Sequence, residues 1–132
     1  MKKLIFWTAL TILLVSKPVK TIADQNYLGV SKQNNISSKW QGYDLLKRIC
    51  SCESNGDVNK EPRQFDENGK VIRGQTTPTD IGECQISLKY HQKEVNQLGL
   101  NVYIEADNVK YAKILFDREG SKPWNWSKGC WK

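Results

Sequence analysis

Apolar and polar positions alternate along this chain in three regimes. Leu4 to Ser16 is a 13-residue apolar run, Asp24 to Gln41 is polar with no sustained period, and apolar residues return at helical spacing from Leu45 onward. In Leu45-Leu46-Lys47-Arg48-Ile49-Cys50-Ser51-Cys52-Glu53 the apolar residues recur every three or four positions, which predicts a helix with Leu45, Leu46, Ile49, Cys50 and Cys52 towards the core. Asn55-Gly56 stops that helix, so Glu53 falls in its last turn. Further on, Asn68-Gly69 between strand-like flanks predicts a hairpin, and Ile81 to Ile86 reads as a short strand or turn leading into Ser87. Ser87 is a suitable N-cap for a helix that Gly99 ends. A last helix, starting near Asn101 or Asp107, carries Val109, Ala112, Leu115 and Phe116 at helical period and closes at Gly120.

The first apolar run is short for a membrane span, which needs about 20 apolar residues. Lys2 and Lys3 precede it and Thr21-Ile22-Ala23 follows, so residues 1–23 read as an export signal or an N-terminal anchor. Residues 24–41 read as a polar linker, with Trp40 the point where packing begins, and residues 42–132 as a single domain. The expected location is secreted or in the cell envelope.

That division changes the meaning of the charge. The formal net charge is +6, but four of the 20 basic residues precede Ala23 and no acidic residue does; 16 basic and 14 acidic residues remain, a net of +2. So small a balance argues against nucleic acid as partner. It suits an anionic wall polymer, among many other partners.

Four cysteines in an exported chain suggest two disulfides. Cys50 and Cys52 lie two apart on one helix and point in different directions, which disfavours a bond between them and leaves two connectivities open. Cys50-x-Cys52 with distant Cys84 and Cys130 lacks the paired spacing of a zinc site, and His91 is the single histidine, so no metal and no cofactor are expected.

The candidate chemistry centres on Glu53. A carboxylate at the end of an apolar stripe is desolvated, and in the last helical turn it also meets the negative end of the dipole. Both effects favour an acid that keeps its proton towards neutral pH and can donate it. The plainer alternative is a solvated surface glutamate. Three tryptophans, Trp124, Trp126 and Trp131, fall in the last nine residues. Indole faces suit either core packing or a sugar-binding groove.

Four pieces stand in order: Cys52-Glu53-Ser54-Asn55-Gly56, Thr79-Asp80-Ile81-Gly82-Glu83-Cys84-Gln85-Ile86-Ser87, Asp107-Asn108-Val109-Lys110-Tyr111-Ala112, and Gly120 to Trp131. This order resembles the lysozyme-like superfamily, nearest to bacterial lytic transglycosylase-like and resuscitation-promoting-factor-like domains. The resemblance implies an α+β fold, mainly helical, in which a small β-hairpin forms one wall of a cleft. It implies Glu53 as general acid, Asp80 as second carboxylate, and Gln85 and Asn108 as substrate-binding residues, to which the indole faces of Trp124 and Trp126 add two more. It also implies bridges Cys52–Cys130 and Cys50–Cys84. The expected partner is the glycan strand of peptidoglycan, cleaved by a monomeric enzyme at the β-1,4 bond between N-acetylmuramic acid and N-acetylglucosamine; a catalytically silent glycan-binding module is the alternative. The chain departs from the family pattern at Glu83 and Cys84, where apolar residues are usual, so a charge stands where packing is expected.

Overall fold

The computed structural model describes residues 39–132. The export signal or anchor and most of the polar linker lie outside the described residues. Lys39 and Trp40, placed at the end of that linker by the sequence, pack onto the domain: Trp40 is buried in the core and Lys39 forms ion pairs with it.

Among the described residues the architecture is α+β, with four α-helices and a two-stranded antiparallel sheet. Helix α1 spans Asp44–Asn55 and buries Leu46, Ile49, Cys50 and Cys52. Asp44 sits in its first turn, where a negative charge suits the dipole. Gly56 closes it in the left-handed region at φ 66°, its N–H donating to the Cys52 carbonyl at 2.8 Å. Leu45 differs from the expectation and is 40 % exposed. Leu46, Ile49 and Cys50 occupy the core stripe at i, i+3 and i+4, and Leu45, about 100° behind Leu46, falls on its rim.

The hairpin at Asn68-Gly69 is present in minimal form. Phe65 and Val71 form a single antiparallel bridge, Gly69 takes φ 74°, and the Asp66 carboxylate accepts the N–H groups of Asn68 and Lys70. Arg73 bridges to Ile81, which joins this hairpin to strands β1 (Asp80–Ile81) and β2 (Ile86–Ser87). Buried Gln64 fixes the unit, accepting from the Glu83 N–H and donating to the Val102 carbonyl. Gly82 has φ 76°, and a Cβ there would come within 2.3 Å of Gln64 Oε1, so this turn requires glycine.

Helix α2 (Leu88–Gln97) follows directly, with Ser87 as N-cap by position although its side chain makes no capping bond. Helix α3 runs Glu105–Glu119, between the two starts the sequence allowed. Its onset is displaced because Asn101 to Ile104 forms a turn, closed by the Ile104 N–H on the Asn101 carbonyl and by Asp107 accepting from the Asn101 N–H. After Gly120, a 3-10 helix (Lys122–Ser127) and the short helix α4 (Lys128–Trp131) bring the chain end back against α1. Val95, Val102, Tyr111 and Leu115 meet Leu46, Ile49, Ile81 and Ile86 in one core.

Two disulfides, Cys50–Cys84 and Cys52–Cys130, join α1 to the β1–β2 turn and to the C-terminal helix. The last two turns of α1 are thereby fastened on two sides.

Candidate active site

Glu53 lies between those two anchor points. Its side chain is half-buried in a cleft of about 600 Å³ lined also by Asp80, Gln85, Tyr90, Trp124 and Trp126. Burial pushes its carboxyl above the usual range; a hydrogen bond from Ser127 Oγ to Oε1 at 2.5 Å pulls partly back, and the nearby Asp80 charge adds to the rise. The net direction is up, which favours the protonated form of a proton donor.

Asp80 opens β1 and faces the same cleft. Its Oδ1 is shielded from solvent and has no hydrogen-bond donor among the described residues. An aspartate that capped its own turn would use that oxygen, but the Gly82 N–H goes instead to the Ile72 carbonyl. Asp80 Oδ1 thus has no hydrogen-bond partner among the described residues, and Asp80 shares the cleft with Glu53.

Gln85 reaches the cleft through a strained backbone, with φ 48° on a non-glycine residue. Its amide Nε2 donates to the Gly82 carbonyl at 2.8 Å, which holds the side chain in place.

Two of the expected substrate-binding residues have their polar groups committed within the protein. Asn108 is fully buried: its Nδ2 donates to the Ile81 and Val102 carbonyls, and its Oδ1 accepts the Cys84 N–H. It ties α3 to the sheet turn, with nothing left to offer a ligand. Trp124 contributes an edge to the cleft, but its indole N–H is committed to the Cys84 carbonyl at 2.8 Å and the residue is only 4 % exposed. That N–H is unavailable to a sugar hydroxyl. Trp126 differs from both, since it is fully exposed at the cleft mouth with its indole open to a partner.

The cleft wall has further members. Thr77, Ser87, Lys89, Tyr90, His91 and Glu119 all line it. Tyr90 is 72 % exposed and has Lys89 over its ring at 5.2 Å. His91 packs edge-on against Tyr111, and burial pushes its imidazole below the ordinary value, with Glu119 and Glu94 opposing. Ser127, the hydroxyl that touches Glu53, also accepts from the Trp131 indole at 2.9 Å.

Compared with family models, curated proteins and solved structures, the chain matches none.

The most strongly raised carboxyl is not in the cleft. Glu83 in the β1–β2 turn is fully buried, and desolvation carries it to about 7, against the opposing pull of Lys39 at 3.0 Å. Lys39 also pairs with Glu105 on α3. The Glu83 charge is therefore buried with a partner, as a buried charge requires. Glu83 is closed off from solvent, whereas Glu53 lines the cleft. No group of three or more His, Cys, Asp or Glu side chains suited to a metal ion occurs among the described residues.

Proposed function

We propose that the chain is a peptidoglycan-cleaving enzyme with a lysozyme-like fold, acting on the β-1,4 bond between N-acetylmuramic acid and N-acetylglucosamine, with Glu53 as general acid. The observation that carries this reading is the pairing in one cleft of a desolvated carboxylic acid with a second carboxylate that has no structural partner. Glycosidic cleavage needs that division of labour: one group protonates the leaving oxygen and another meets the oxocarbenium-like charge.

In this scheme Glu53, fixed at the end of α1 by two disulfides, holds its proton over the scissile oxygen while Ser127 orients Oε1. Asp80 faces the anomeric carbon. Trp126 and Tyr90, exposed at the cleft, offer flat apolar faces to sugar rings. Among these, a silent glycan-binding module would use only the aromatic faces and has no need for an acid held against its natural ionisation.

Mass spectrometry of peptidoglycan digested by the purified protein tests the reading. Fragments with reducing ends indicate hydrolysis, and anhydro ends indicate intramolecular closure by the substrate's own 6-hydroxyl. Intact strands that nonetheless retain bound protein would overturn the enzymatic reading in favour of the binding module.

A further inference from the structure

A second concavity, of about 680 Å³, lies beside the hairpin and is lined by Arg63, Lys70, Arg73, Asp66, Tyr103 and the end of α1 at Ser54. It is separate from the cleft. Arg73 bridges to Ile81, so its side chain shares the face of Ile81 and opposes that of the preceding Asp80. The two concavities are nevertheless neighbours, since Ser54 follows Glu53 and Gln75 on this wall is two residues from Thr77 of the cleft.

Its chemistry is that of an anion receptor. Three cations converge, and none forms a salt bridge among the described residues. Arg73 is held in place by stacking on the Tyr103 ring at 5.3 Å and by donating to the Pro78 carbonyl at 3.3 Å, which leaves other guanidinium donors free. The one carboxylate on the wall, Asp66, has Oδ1 occupied by two backbone N–H groups of its own turn, so it does not neutralise the cluster by direct pairing. An arginine fork matches a planar carboxylate in bidentate fashion. The free edge of Asp66 repels a polyphosphate but suits a ligand that bears an amine as well as carboxylates.

We infer that this concavity binds a free carboxylate of the peptides that branch from the glycan, an inference that rests on the proposed wall substrate. The glycan lies in the Glu53 cleft, and a branching peptide passes the Gly74 to Asp80 loop to reach Arg63, Lys70 and Arg73. The site thereby selects peptide-bearing strands over bare ones.

The test titrates the full-length protein with a synthetic stem tetrapeptide carrying its free carboxylates and amine, and separately with inorganic polyphosphate. Arg63→Gln with Arg73→Gln should weaken tetrapeptide binding at least about tenfold, the worth of one lost charge-assisted pair. Cleavage of peptide-free glycan by the same variant should stay at the wild-type level. Lys70→Glu, on the exposed hairpin, serves as a second variant that leaves the Arg73–Tyr103 stack intact and should weaken the peptide likewise. Unchanged tetrapeptide affinity in both variants overturns the inference, as does wild-type protein that binds polyphosphate and ignores the peptide. Wild-type protein that binds the peptide yet never cleaves glycan leaves this site standing and removes the enzymatic reading instead.

Discussion

Substituting Glu83 by Gln isolates a buried charge whose cost can be worked from the structure. Desolvation lifts the carboxyl from an ordinary 4.5 to about 7 in the folded protein. A group raised on folding contributes stability that is fully present below its unfolded value and is lost as pH rises through the folded one. At about 1.4 kcal/mol per pKa unit, Glu83 alone should therefore remove roughly 2 to 3 kcal/mol of stability between pH 5 and pH 8. Gln keeps the size and an oxygen for Lys39, which retains Glu105 as its ionic partner. It does not titrate. Urea unfolding of the oxidised protein at the two pH values reads the difference; with a slope of about 1 kcal/mol per molar urea, the wild-type midpoint should fall by roughly 2 to 3 M more than that of Glu83→Gln. Glu53 contributes a fall of the same sign to both proteins. Equal pH dependence in wild type and variant would refute the desolvation argument.

Three further outcomes follow from named contacts. Ser127→Ala removes the hydrogen bond that lowers the Glu53 carboxyl, so the alkaline limb of the pH–kcat/KM profile should move to higher pH; a limb that stays or moves down contradicts the role given to that hydroxyl. Asn108→Ala strips three buried hydrogen bonds and should cost roughly 3 kcal/mol by thermal unfolding while leaving KM on glycan unchanged in the folded protein; a raised KM would restore it as a ligand contact. Reduction opens crosslinks spanning 34 and 78 residues, each worth roughly 4 kcal/mol, and circular dichroism with and without dithiothreitol should show loss of the folded state.

What the sequence made legible was local. The stripe from Leu46 to Cys52, the stop at Asn55-Gly56 and the Asn68-Gly69 turn are short-range signals, and each element formed where its residues demanded. The resemblance supplied the cysteine pairing that spacing left open, and both bridges are present. Long-range contacts were not legible. Ser127 meets Glu53 across 74 residues, and nothing in Trp-Ser-Lys announces that hydroxyl. Trp124 and Trp126 read alike in sequence, yet the backbone kinks at Trp124, at φ −107° and ψ 23°, and one indole is buried while the other is open. Glu83 looked misplaced because its partner Lys39 lies 44 residues away, in a stretch that reads as linker.

Asn108 shows how one residue type can serve two purposes. An asparagine on a helix beside a cleft has the donors and acceptor to hold a sugar, but those same groups can satisfy backbone that a tight turn leaves unpaired. The turn from Ile81 to Gln85 is such a case: buried Gln64 accepts the Glu83 N–H, and Asn108 accepts the Cys84 N–H and donates to the Ile81 carbonyl. Stability, rather than recognition, claims both amides.

The most direct measurement is turbidity clearing of purified peptidoglycan by wild-type protein and by Glu53→Gln, which keeps shape and the Ser127 contact but has no proton of the right acidity to give. Wild type should clear the suspension, and the variant should be slower by at least about a hundredfold, the scale of general acid catalysis, while still binding the polymer. Clearing by Glu53→Gln at the wild-type rate would contradict the assignment of the acid.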